Sequence, residues 1–126
     1  MLNNKALIII KPDAVRQALI PNILTILNGL DFEKMELREL SLEESRMLYI
    51  EHKDKEYFSG LVDWMTKGKS LILVVSDDSV SYGNLIASVR SSVKHIRTLY
   101  QTDTRNNAVH GSDSKESGTY ESNLFL

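Results

Sequence analysis

The sequence predicts an α+β domain, a four-stranded antiparallel sheet in βαββαβ order with helices packed on it. Three observations carry this reading. Ala6–Ile10 and Leu71–Val75 are short, continuous, largely β-branched apolar runs, as buried strands are. The stretch from Phe32 to Leu40 alternates loosely and is charged outside (Glu33, Lys34, Glu36, Arg38, Glu39), which suits a strand with one wet face. The segments between them carry helical periodicity bounded by capping and stop signals. The pattern places the helices on one face of the sheet. A small doubly wound parallel sheet is the alternative arrangement. Neither the Walker nor the Rossmann glycine pattern follows the first strand.

The elements follow in order. Lys11-Pro12-Asp13 ends the first strand, and Pro12 suits the first turn of a helix. That helix runs to about Asn28, with Val15, Leu19, Ile23, Ile26 and Leu27 on one face. A break is expected near Ile20, because Pro21 interrupts the pattern, and Asn28-Gly29 is a stop. Ser41-Leu42-Glu43-Glu44 is a capping box opening a helix through about His52. Tyr57–Lys67 forms a further short helix closed by Gly68. Asp77-Asp78-Ser79 caps a helix over about Val80–Arg90. Ser91–Asn106 shows little periodicity and is read as a long basic loop, a length that in a small domain usually signals function or disorder. Ala108–His110 is a very short last strand, after which Ser112 or Asp113 caps a helix from Ser114 onward.

The 126 residues suffice for one domain, 1–126, and 42% hydrophobic with 25% charged residues is ordinary for a chain that buries a core. A net charge of −2 gives no indication of nucleic acid or of an anionic membrane as partner, so local basic residues must carry any anion binding. The absence of cysteine excludes disulfides, thiolate metal sites and cysteine nucleophiles. The longest apolar run is far too short to span a bilayer, and Met1–Lys5 precedes no signal-peptide core, so a cytoplasmic location is expected.

The chemistry concentrates in Asn107-Ala108-Val109-His110-Gly111-Ser112-Asp113-Ser114. A histidine at a glycine-containing turn, with hydroxyls and a carboxylate beside it, can be a nucleophile, a proton shuttle or a ligand; it can equally be a turn residue before a helix cap. Metal ligation is disfavoured, since His52 and His95 lie at no ligand spacing from it. Glu121, eleven residues on, can accept the second ring N–H if the last helix folds back. Lys11 stands at a strand end where its ammonium can meet phosphate oxygens, or it is an ordinary solvated lysine. Arg97 and Arg105 flank the approach to His110; the guanidinium fork suits phosphate, and solvated charges are the plainer reading. Of Tyr57-Phe58, Phe58 goes mostly to the core, and Tyr57 goes either to the core or to a stacking platform for a base.

Together, Lys11-Pro12-Asp13 after a β run, Tyr49, Tyr57-Phe58-Ser59-Gly60-Leu61, Arg97, and Asn107-x-x-His110-Gly111-Ser112-Asp113-Ser114 with Glu121 resemble the nucleoside diphosphate kinase family over nearly the whole chain. The resemblance implies a ferredoxin-like fold, a four-stranded antiparallel sheet with helices on its faces. It implies ping-pong transfer of the γ-phosphate of a nucleoside triphosphate (typically ATP) to a nucleoside diphosphate through a phosphohistidine at His110. Mg²⁺, held mainly by phosphates and water, is the implied cofactor. Lys11 would contact the ribose and the transferring phosphate, and Asn107 the sugar. Tyr49, His52 and Arg97 would surround the phosphates. Tyr57 would stack on the base with Thr104 on its other face, and Ser112 and Glu121 would position His110.

The chain departs from the family where an arginine and a threonine usually bind phosphate; Asn84 and Arg90 take those places, and Arg90 restores the charge that Asn84 lacks. Alanines (Ala14, Ala18) replace glycines common after the Lys-Pro-Asp motif and are read as mild changes within a helix. The stretch between Arg90 and Arg97 is a few residues shorter than usual, and the chain ends about a helix or arm short of common members. A homo-oligomer is expected, with a dimer or tetramer at least as favoured as a hexamer. A nucleotide-binding regulatory module with little or no turnover is the alternative function. A plain interaction domain would not need these polar residues at these spacings.

Overall fold

In the computed structural model, which describes residues 4–126, the first and third strands form the centre of the sheet. The reading of Met1–Lys5 therefore falls largely outside the described residues. Strand β1 (Lys5–Ile10) pairs antiparallel with β3 (Lys69–Ser76), and Ile9 faces Ile72. β2 (Phe32–Glu39) lies on the far side of β3 and β4 (Val109–Gly111) on the far side of β1, also antiparallel, giving the order β2-β3-β1-β4. The expected four-stranded antiparallel sheet is present.

Both central strands are apolar on both faces, so both faces must be covered. Ala6, Ile8, Ile10, Leu71, Leu73 and Val75 meet α1 (Pro12–Arg16), α2 (Ile20–Ile26) and α5 (Tyr82–Tyr100). Leu7, Ile9, Ile72 and Val74 meet the side chains of α3 (Leu42–Leu48), α4 (Phe58–Met65) and α6 (Lys115–Phe125). The helices thus occupy two faces, not the one that the strand order alone suggested.

Local boundaries differ from expectation at several points; the last strand, for one, is Val109–Gly111 rather than Ala108–His110. The segment after β1 breaks at Gln17–Leu19, slightly before Ile20, and Pro21 lies in the first turn of α2, where its missing N–H costs nothing. Ala18, read as a helical residue, is not helical. Its φ of 59° is a left-handed conformation that favours glycine, so the alanine carries strain there. The capping box at Ser41 forms with Glu44 as expected, but α3 ends at Leu48 and a 3₁₀ turn over Ile50–His52 replaces its last turn. Ser114 rather than Ser112 or Asp113 caps α6, and its hydroxyl accepts from the Ser117 amide.

The largest correction is α5. The cap is Ser81, not the Asp77–Ser79 segment, and the helix runs nineteen residues to Tyr100, absorbing most of the expected loop. Leu85, Ile86, Val89, Val93 and Ile96 are buried at helical spacing. Past Arg90 the stripe is one residue wide and flanked by polar side chains, so it looked aperiodic. A Cβ on Gly111 would lie 2.4 Å from Val93 Cγ2, and this missing side chain lets α5 sit close on β4. Replacing Ile96 with alanine is expected to lower stability by about 2–5 kcal/mol in urea unfolding, as for a core residue. A change within about 0.5 kcal/mol would return this segment to the surface.

Candidate active site

His110 lies at the middle of β4, opposite Ile9, on the face covered by α3, α4 and α6. Its Nε2 is 2.9 Å from Glu121 Oε1 on α6. A carboxylate only accepts, so Nε2 carries a proton, and in the neutral ring Nδ1 then keeps its lone pair. No partner for Nδ1 occurs among the described residues. Ser112 Oγ donates to the same Glu121 oxygen (2.8 Å) and accepts from the Leu7 amide (2.9 Å), so the carboxylate is itself anchored to β1. The Tyr49 ring packs edge-on against the imidazole, with centroids 5.8 Å apart. Burial, followed by the nearby Glu121 charge, pushes the Tyr49 phenol well above its usual range, so it remains a hydroxyl donor.

Lys11 and Asp13 join the end of β1 to the start of β4. The Lys11 amide donates to the Ala108 carbonyl, and Asp13 Oδ2 accepts from the Ala108 amide at 3.0 Å. Ala108 has φ 73° and the Val109 amide reaches back to the Asn107 carbonyl, a tight turn held by these contacts. Lys11 Nζ donates to the Arg105 carbonyl (2.8 Å) and to Asn107 Oδ1 (2.9 Å), and lies 5.1 Å from the centre of the Trp64 ring. Burial lowers the Lys11 ammonium to about 8, against the opposing pull of Asp13, and Arg97 and Arg105 push in the same direction as burial.

The other walls come from three segments. Tyr57, half exposed before α4, hydrogen-bonds His52 Nδ1 at 2.8 Å. Thr104 lies in the exposed turn of residues 101–107, and its carbonyl accepts from Asn107 Nδ2. The guanidinium of Arg105 lies against Gly60, where a Cβ would come within 2.9 Å of Nη2. Arg97 reaches from α5 over the sheet edge to donate through Nε and Nη2 to the Val109 carbonyl, and its half-burial depresses its pKa.

The structure thus gathers His110, Glu121, Ser112 and Tyr49 in one cluster and ties Lys11, Asn107 and Thr104 into the adjoining turn. Asn84 is not brought near them: it sits in the first turn of α5, about 20 Å along the helix from Arg97. Arg90 lines a cleft on the α5 side of β4, away from the His110 face. The roles of Asp13 and Trp64 escaped the sequence reading. Asp13 resembled an ordinary acid in a helical first turn, and Trp64 an ordinary core aromatic. No group of three or more histidine or acidic side chains able to hold a metal occurs among the described residues, and no helix there is long and apolar enough to cross a membrane.

The family model described as nucleoside diphosphate kinase matches residues 4–126. The chain is 37% identical over 129 residues to the nucleoside diphosphate kinase of Herpetosiphon aurantiacus, covering 97% of this chain and 87% of that protein. It is 35% identical to that of Thermobifida fusca, covering 97% and 96%. Among solved structures, the Aquifex aeolicus nucleoside diphosphate kinase superposes with a TM-score of 0.80 at 26% identity, over 99% of this chain and 96% of that one. A halophilic nucleoside diphosphate kinase from Halobacterium salinarum, solved in complex with CDP, gives 0.85 at 27%, over 99% and 88%. On a match that spans all but the first few residues, the chain belongs to the nucleoside diphosphate kinase family.

Proposed function

We propose that the protein moves the γ-phosphate of a nucleoside triphosphate, typically ATP, onto a nucleoside diphosphate through a phosphohistidine formed at His110 Nδ1. The observation that carries this reading is the Ser112–Glu121–His110 chain, which fixes the proton on Nε2 and leaves Nδ1 as the nucleophile. Nδ1 attacks the γ-phosphorus, the bond to the bridging oxygen breaks, and the nucleoside diphosphate leaves. A second nucleoside diphosphate reverses the step with its own β-phosphate oxygen. Phosphoryl transfer needs positioning and charge neutralisation more than covalent machinery. Lys11, Arg97 and the Tyr49 hydroxyl supply that around the phosphates, with His52 on the outer side. Asn107 and Lys11 hold the sugar hydroxyls, and the base stacks between Tyr57 and Thr104; broad base tolerance follows if the base is only stacked.

The donor set beside His110 is cationic and neutral, with Glu121 already engaged. That fits a Mg²⁺ ion carried by the nucleotide's phosphates and water rather than by a protein cage; when bound, it neutralises phosphate charge. A homo-oligomer (dimer, tetramer or hexamer) is supported by Met35 and Leu37, which are exposed on the edge strand β2.

Incubation with γ-labelled ATP and Mg²⁺ is expected to yield an acid-labile, base-stable phosphoprotein that added GDP or CDP discharges. His110→Ala abolishes the label, and Glu121→Gln slows its formation by up to about 10⁴-fold, the scale of losing an orienting carboxylate. A protein that binds ADP but never labels would instead be a regulatory module.

Lys11 adds a pH dependence. It must be protonated to hold phosphate, so labelling by limiting ATP is expected to fall as pH rises through about 8. Stability moves the opposite way. Below about 8 the buried ammonium is charged in both states, and its cost is fully present. That cost is relieved as pH rises from about 8 toward 10.5, because the unfolded chain then binds more protons. An NMR titration of the lysine ε-carbons in which Lys11 moves with the other lysines would overturn both expectations.

A further inference from the structure

The guanidinium of Arg105 takes no part in the phosphate and sugar contacts described above. It extends from the turn of residues 101–107 to α4, where a Cβ on Gly60 would lie 2.9 Å from Nη2 and 3.7 Å from Cζ. Arg105 is partly buried and its backbone is engaged: the amide donates to Asp103 Oδ1 at 2.9 Å, and the carbonyl accepts from Lys11 Nζ. No guanidinium nitrogen has an acceptor among the described residues. Asp103, the one carboxylate in the turn, also accepts from the Asn106 amide and from Asn106 Nδ2. A partly buried fork of donors without an acceptor is set to receive one from a ligand.

One face of α4 locates this fork. Tyr57, Gly60 and Trp64 recur at i, i+3 and i+7 and so share a side of the helix. Gly60 stands about 4.5 Å along the axis from Tyr57 and about 6 Å from Trp64. Lys11 Nζ lies over the Trp64 ring, and Thr104 is the residue before Arg105. With the base between Tyr57 and Thr104 and the sugar at Lys11 and Asn107, the guanidinium stands where base joins sugar. The acceptor beside the glycosidic bond is O2 in a pyrimidine and N3 in a purine. The two are not equivalent. O2 is a carbonyl oxygen, about 1.2 Å clear of the ring and with two lone pairs. N3 is a ring atom with one, and in guanine the N2 amino group beside it presents hydrogens to a guanidinium that can only donate. We propose that Arg105 is a specificity-determining residue, whose guanidinium donates to the O2 carbonyl of a pyrimidine base and so favours cytidine and uridine nucleotides over guanosine nucleotides. This rests on the nucleotide placement proposed above and adds what stacking on Tyr57 lacks, a contact that reads the base edge. Gly60 is part of the device, since a side chain there would push the fork off α4.

The test compares the whole protein with Arg105→Ala and Gly60→Ala. Each is titrated calorimetrically with CDP, UDP, ADP and GDP, and its labelled phosphoprotein is discharged with the same four diphosphates. The wild type is expected to bind CDP and UDP about tenfold more tightly than GDP, the discrimination of one good base-edge contact, with ADP between them. Arg105→Ala keeps the carbonyl that Lys11 uses and brings the ratio close to one. Gly60→Ala keeps the charge, displaces the fork and lowers the ratio part of the way; alanine suits a helix interior better than glycine, so this variant folds. A wild-type ratio near one, or a ratio unchanged in Arg105→Ala, would overturn the proposal. So would an equal loss for all four diphosphates in Arg105→Ala, which would assign the fork to phosphate or sugar. A pyrimidine preference in binding that Arg105→Ala removes, in a protein that never labels, would sink the phosphohistidine and leave the role of Arg105 standing.

Discussion

Much of this structure rests on one buried carboxylate. Asp13, at the start of α1, accepts from the Ala108 amide while Lys11, two residues earlier, exchanges a backbone hydrogen bond with the same residue. Ala108 is held at a positive φ that an L-residue rarely adopts without surrounding support. The clasp sets where β4 begins, and with it the register that puts His110 opposite Ile9. β4 is only three residues long and lies at the sheet edge, so little else would fix that register. A slip of one residue would turn His110 to the α5 face and Gly111 to the α6 face, where Glu121 waits.

The second constraint acts from the opposite side. Glu121 is nearly buried, and its contacts are His110 and Ser112, which is itself bonded to β1. A buried carboxylate needs such partners, because an unpaired charge is costly away from water. The same arrangement that stabilises Glu121 orients the imidazole, so the packing of α6 and the chemistry of the ring depend on each other. Gly118 allows this closeness: a Cβ there would lie 2.6 Å from the Lys5 carbonyl.

Lys11 illustrates how a site is kept ready at a cost to stability. Its ammonium is buried, satisfied by the Arg105 carbonyl, Asn107 and the Trp64 face, and still carries a depressed pKa because burial outweighs Asp13. The two arginines nearby deepen that depression. A phosphate-bearing ligand would reverse the balance, since it adds negative charge where three cations now repel one another. The hydrogen bonds that hold Lys11 and Arg97 in place preorganise the site.

What was legible in the sequence was local chemistry and periodicity: the two apolar strands, the capping box at Ser41, and the spacings linking Lys11, Asn107, His110 and Glu121. These survive because they depend on neighbours in the chain or on motif letters. The continuation of α5 to Tyr100 was not legible, because beyond Arg90 a single buried residue per turn suffices once Gly111 lets the helix approach the sheet. The left-handed turn at Ala18 was hidden as well, since alanine signals helix and only the surrounding fold imposes its φ. Asn84 and Arg90 could be aligned by spacing, yet their distance from His110 is set by a helix whose continuation past Arg90 the sequence presented as a loop. The sequence by itself determined the strands, the starts of α1 at Pro12 and α3 after Ser41, and the identity of the histidine turn. The tertiary structure decided the side of the sheet on which each group stands, because the face of an edge strand depends on its register with a neighbour about a hundred residues away.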